Sequence, residues 1–94
     1  MNASAVNTKL LDEFTDTLWL EDGLSRNTLT SYRSDLWQLG EWLAKQSQGV
    51  RSLREATQPD LLAFLASRVC SLATARTTSR ELSSIKRFYR FLLR

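Results

Sequence analysis

Histidine is absent from the 94 residues, and cysteine occurs once, at Cys70. These shortages remove Ser-His-Asp and Cys-His catalysis and leave no ordinary zinc ligand set. A lone thiol excludes an internal disulfide and fits a reducing compartment. On its leucine-rich helix Cys70 reads as a small core residue. Glycine is scarce: Gly23, Gly40 and Gly49 lie far apart, so no glycine-rich phosphate loop can form. Long apolar runs are missing too. The longest, Leu61–Ala66, is six residues, against the roughly twenty that a membrane span requires. Met1–Thr8 has no basic start followed by an apolar block, so no signal peptide is visible. The ten carboxylates are spread over helix surfaces without a convergent cluster. The expectations are a cytoplasmic protein with no membrane segment, no metal, no cofactor and no enzymatic activity in this chain alone.

What is present is a single domain's worth of core. Apolar residues make up 43% of the chain, with seventeen leucines and nine aromatics, an ordinary globular composition. Apolar residues recur at a period of 3.6, without strand-like alternation, and predict an all-α bundle of four helices over about 8–21, 25–48, 58–71 and 74–93. The first buries Leu11, Phe14 and Leu18, and Gly23 stops it as a left-handed terminator. Ser25 caps the second, with Leu24 placed to staple against Leu29. Leu29, Tyr32, Leu36, Leu39 and Leu43 then form one stripe. Gly40 costs that helix about 1 kcal/mol of propensity, which a close-approaching neighbour would explain. After a connector over Val50–Ala56, Thr57-Gln58-Pro59-Asp60 announces the third helix. Its core side is Leu61 or Leu62, Leu65, Val69 and Leu72. The fourth buries Thr78, Leu82, Ile85, Tyr89 and Leu92.

Charge is unevenly placed. Ala73–Arg94 holds six bases and one acid, net +5, while residues 1–72 hold seven bases and nine acids, net −2, together the chain's +3. Arg76, Arg80, Ser83, Arg87, Arg90 and Arg94 step by 4, 3, 4, 3 and 4, so they form one line along the fourth helix. No acid four residues away relieves them. A polyanion would, with release of its counterions. The second helix repeats the habit: Arg26, Asn27, Thr30, Ser31, Arg33 and Ser34 lie off the buried stripe, and all donate hydrogen bonds. Such a helix start suits phosphates, and the same side chains can read base edges in a major groove. Two such faces, Ser25–Ser34 and Arg76–Arg87, would grip one duplex from adjacent positions.

The residues also resemble a family. Leu18-Trp19-Leu20-Glu21-Asp22-Gly23-Leu24-Ser25, followed by Asn27-Thr28-Leu29, Tyr32 and Asp35-Leu36, is similar to the opening of the N-terminal core-binding domain of tyrosine recombinases, Xer-type members above all. Leu82-Ser83-Ser84-Ile85-Lys86-Arg87-Phe88-Tyr89-Arg90-Phe91-Leu92 matches that domain's last helix, and Thr57-Gln58-Pro59-Asp60-Leu61 fits between them. The likeness covers nearly all of residues 8–94. It implies a SAM-like four-helix domain, half of a clamp around double-stranded DNA at a recombination core site, with the second and fourth helices in the major groove. The contacts it implies are Arg26, Asn27, Thr28, Ser31 and Arg33 from the second helix. From the fourth they are Arg76, Thr77, Arg80, Ser83 and Arg87, with Thr78 nearer the core.

In that family a tyrosine nucleophile and its arginine, lysine and histidine partners belong to a C-terminal catalytic domain. This sequence therefore reads as a non-catalytic piece of a longer recombinase acting in chromosome-dimer resolution or DNA integration. Tyr32 and Tyr89, on buried stripes, do not inherit the nucleophile's role. A second recombinase protomer, contacted through Trp37 or the first helix, is the implied protein partner, and the isolated domain is expected to be monomeric. Gly40 and Glu81 depart from the family pattern. Glu81 would stand beside the recognition face, repelling phosphate or accepting from a cytosine amino group. The alternative reading is a helical protein-interaction module whose basic face docks an acidic protein.

Overall fold

The computed structural model describes residues 3–47, 51–70 and 75–93. Its elements run α1 (Ala3–Thr17), a wider π-helical turn (Leu18–Asp22), α2 (Arg26–Ser47), a short 3-10 helix (Leu53–Glu55), α3 (Gln58–Cys70) and α4 (Ala75–Leu92). Among the described residues there is no strand, and no helix is long and apolar enough to cross a membrane. Helices α1 and α4 both pack on α2, and α3 packs on α2 and α4.

The boundaries follow from local chemistry. Gly23 ends the π turn at φ 61° and ψ 30°, a conformation that costs a residue with a Cβ but not glycine. Ser25 caps α2: its Oγ accepts the Thr28 amide at 3.2 Å, and its carbonyl accepts the Leu29 amide at 3.0 Å. Thr57 and Asp60 cap α3 reciprocally. The Asp60 carboxylate accepts the Thr57 amide at 2.8 Å, and Thr57 Oγ1 accepts the Asp60 amide at 3.4 Å. Gln48-Gly49, Leu72, Thr74 and Arg94 fall outside the described residues.

Leu11, Phe14, Leu36, Leu39, Leu43, Leu53 and Phe88 are fully buried at the centre. Phe14 meets the edge of Phe88 with centroids 5.3 Å apart, and Trp42 meets Phe64 at 5.8 Å. Gly40 is buried where α1 crosses α2. A Cβ there would stand 2.7 Å from Asn7 Nδ2, so the close neighbour expected from the sequence is the buried Asn7 side chain.

Several expectations are corrected. The first helix begins at Ala3 rather than near Thr8, because Asn7 is a core residue whose Oδ1 accepts the Leu53 amide at 2.8 Å. The stretch taken as a connector holds the 3-10 turn. Its Leu53 is anchored on both sides: the Tyr89 hydroxyl donates to the Leu53 carbonyl at 2.7 Å. On α3 the buried residue is Phe64, while Leu62 and Val69 are more than half exposed. Cys70 is exposed rather than a core residue. On α4 the buried line is Glu81, Ser84, Ile85 and Phe88, with Leu82 at 39% exposure and Thr78 only half-buried. Two polar residues occupy that line because each has a partner inside: Arg68 bonds Glu81, and Ser84 donates to the Glu81 carbonyl at 2.8 Å.

Candidate nucleic-acid interface

At 100° per residue, α2 presents three lines of side chains around its core stripe. Thr28, Ser31 and Asp35 share the edge that meets α4. Arg26, Thr30 and Arg33 share the opposite edge, where with Thr15, Asp16, Trp19 and Leu29 they line an open groove between α1 and α2. Asn27 and Ser34 stand between these edges, exposed to solvent. On α4, Arg76, Arg80, Ser83, Arg87 and Arg90 keep to one line by helix phase, from which Arg80 meets Asp35 of α2 and Arg87 meets Asp22 at the end of the π turn.

That placement is held by ion pairs. Arg80 reaches the Asp35 carboxylate twice, Nε to Oδ2 at 3.0 Å and Nη2 to Oδ1 at 2.8 Å. The Asp35 side chain is 1% exposed and that of Arg80 45%, so the pair closes the α2–α4 seam from outside. The bond to Asp35 raises the Arg80 pKa further above its ordinary value, which keeps the guanidinium charged at every accessible pH. Arg87 Nη1 donates to Asp22 at 3.1 Å, tying α4 to the end of the π turn. Arg33 pairs with Asp12 of α1 at 2.7 Å. The line that looked unrelieved along its own helix is therefore partly relieved by acids from other elements.

The structure does not gather all ten expected contact residues on one line. Helix phase places Thr28 and Ser31 on the α2 edge that carries Asp35, the partner of Arg80, with Asn27 exposed next to them. Thr77 is half-buried on α4, and Arg76 and Ser83 are exposed. Arg26 and Arg33 sit across α2 on its α1 edge, Arg26 exposed and Arg33 half-buried. Thr28 is engaged in the cap, its hydroxyl 2.9 Å from that of Ser25. Arg26, Arg76, Lys86 and Arg90 make no ion pair among the described residues.

Two acids behave differently from expectation. Glu81 does not border the outer face: its side chain is 1% exposed and paired with Arg68 at 2.8 Å. Asp35 entered the sequence reading only within the Asp35-Leu36 motif, yet it is the residue that fixes Arg80. Its signal was isolation, a single acid among the donors of Arg26–Gln38. Among the exposed residues of α4 there are four bases, with Arg87 half-buried beside them, and no acid, because the helix's one carboxylate is inside. Tyr89 is held by the Leu53 carbonyl, and burial pushes its phenol well above the ordinary range, so its hydroxyl is a packed structural donor.

The domain is all-α, and the chain belongs to the family described as Phage integrase, N-terminal SAM-like domain, which it matches over residues 11–94. It is similar to the tyrosine recombinase XerD of Shewanella oneidensis, 48% identical over 84 residues that cover 89% of this chain and 27% of that protein. The proteins of the same name from Proteus mirabilis and Pseudomonas putida are 42% and 44% identical, covering 94% and 96% of this chain and 27% and 29% of theirs. The chain thus spans less than a third of the length of these relatives. No solved structure matches it.

Proposed function

We propose that this chain is the duplex-binding domain of a Xer-like site-specific tyrosine recombinase and sets α2 and α4 into the major groove of a recombination core site. The observation that carries this reading is the inward turn of Asp35 on α2 and Glu81 on α4, which leaves the outer surface of α4 with four exposed bases and no carboxylate. The two edges of α2 are compatible with one duplex. A helix about 10–12 Å across fills a groove about 12 Å wide, with phosphates along both walls. Arg26 and Arg33 then serve one wall, Arg76 and Arg87 the other, and Asn27 and Ser31 face the base edges. Thr28, Thr77, Arg80 and Ser83 complete the contact. Strand cleavage is assigned to parts of the recombinase outside this chain, whose role is to hold DNA during chromosome-dimer resolution or integration.

The experiment is a titration of the isotopically labelled chain with short duplexes at several salt concentrations. Three to five phosphate contacts give a log–log slope of about −3 to −4.5. The amides that shift should lie in Arg26–Asp35 and Arg76–Arg87. A flat response between roughly 50 and 200 mM salt overturns the reading. Preferential capture of an acidic protein over duplex would replace it with the protein-docking alternative. A separate observation supports a contact between protomers: Trp19 and Leu20 are 53% and 80% exposed on the π turn, and Trp37 is 37% exposed on α2. Sedimentation of the chain with and without duplex tests it, a monomer in solution and association on DNA being expected.

A further inference from the structure

Arg80 is held by its side edge. The Nε and Nη2 bonds to Asp35 use two of the five guanidinium N–H donors. Three donors remain, two on Nη1 and one on Nη2, on the edges turned away from Asp35. One from each nitrogen makes the end-on fork, whose spacing matches paired acceptors such as guanine O6 and N7. With Asp35 sealed in the seam and nearly half of Arg80 exposed, the bonded edge faces inward and the fork faces out.

Charge decides what that fork prefers. The pair as a whole is neutral, so a phosphate drawn to Arg80 also meets the negative field of Asp35 directly behind it. A base edge carries partial charges only and incurs no such repulsion. The fork is already oriented, so little side-chain freedom is left to lose on contact. Arg76 and Arg90, which make no ion pair among the described residues, keep their full charge for phosphates. We propose that Asp35 is a positioning residue that turns Arg80 from a phosphate anchor into the reader of a guanine. This inference rests on the duplex-binding reading above.

The test uses the 94-residue chain to enrich duplexes from a pool with a randomised central stretch. Each guanine of the enriched duplex is then replaced in turn by 7-deazaguanine, which lacks the N7 acceptor. One replacement should weaken wild-type binding about fivefold or more. Arg80→Lys keeps a cation for Asp35, so the fold stands, but it has no fork. It should be indifferent to that replacement, with its salt slope unchanged. Asp35→Asn frees the Arg80 charge: the guanine preference should shrink, affinity for unselected duplex should rise, and the slope should steepen by about 0.9. A purely structural role for Asp35 would lower affinity for all duplexes without changing the slope. Thermal melting shows which variants are folded, and Arg80→Lys carries the test if Asp35→Asn is not. Enrichment without any guanine that depends on Arg80 overturns this inference alone, as does an Arg80→Lys slope shallower by about 0.9. Failure to enrich any duplex overturns it together with the reading it rests on.

Discussion

Replacing Gly40 by alanine puts two opposed effects of similar size in one position. In an exposed helix the change would stabilise by about 1 kcal/mol, since glycine is the poorer helix former. Here the added carbon would stand 2.7 Å from Asn7 Nδ2, 3.4 Å from Asn7 Cγ and 3.6 Å from Leu53 Cγ. Non-bonded heavy atoms are comfortable only near 3.5 Å, so Asn7 must yield. It is not free to do so at low cost, because it is 3% exposed and its Oδ1 holds the Leu53 amide at 2.8 Å. Leaving that buried amide without an acceptor costs about 1–3 kcal/mol. The expected net for Gly40→Ala is a loss of about 1 kcal/mol, or about 4–8 °C in melting temperature for a chain of this size. The double change decides the mechanism. In an Asn7→Ala background the clash and the bond are both already gone, so Gly40→Ala should then stabilise. Circular-dichroism melting of the four proteins reads the cycle. A single Gly40→Ala variant melting at or above wild type, or no reversal of sign in the Asn7→Ala background, refutes the account.

Three further outcomes are expected. Arg76→Gln and Arg90→Gln should each weaken duplex binding about equally across sequences and make the salt slope shallower by about 0.9, measured by fluorescence anisotropy at several salt concentrations. The Arg51 guanidinium, then the Thr57 amide and hydroxyl, hold the Asp60 carboxyl down to about 2 from its ordinary 3.8. A carboxyl lowered in the folded state stabilises fully above the unfolded value, and that contribution is lost as pH falls from about 4 through 2. Melting temperature should drop across that window, and Asp60→Asn should remove part of the drop. Arg68→Met should destabilise by about 3–5 kcal/mol, because it removes the ion-pair partner of the buried Glu81 carboxylate. Glu81→Gln should cost less in urea unfolding, since the amide oxygen still accepts from Arg68.

The features legible in the sequence were those whose partners lie within a few residues. Ser25 with Thr28, Gly23 in its left-handed turn and Thr57 with Asp60 are closed inside one turn of chain, so residue type alone implies the geometry. The core stripe of α2 was equally plain, because every member is apolar. What failed were positions where a polar residue is buried by a distant partner. Asn7 reads as surface until Leu53 is brought to it, 46 residues on. Glu81 and Ser84 interrupt the apolar pattern of α4, which made Leu82 look like the inward residue. Once Arg68 supplies the counter-charge, the buried line passes through Glu81 instead. On α3, alanines and leucines surround the helix so evenly that periodicity could not single out Phe64.

The same distance effect governs the candidate site. A one-helix inspection compares a base with acids three or four places away, and by that measure Arg80 and Arg87 are bare. Their acids arrive from 45 and 65 residues away, on α2 and at the end of the π turn. The pairs change what the surface can do. A row of free arginines attracts any polyanion, and its affinity comes mainly from counterion release with no regard to sequence. Pairing some of them to carboxylates behind the surface lowers that undirected attraction while the donors stay in place and become fixed. On the duplex-binding reading proposed above, Arg76 and Arg90, which make no ion pair among the described residues, would meet phosphate, while Arg80 would offer a fork held by two bonds to Asp35. Asp35 closes the α2–α4 seam whatever lies on it; on the duplex-binding reading proposed above, fixing Arg80 as well suits a surface that must prefer a particular duplex over all others.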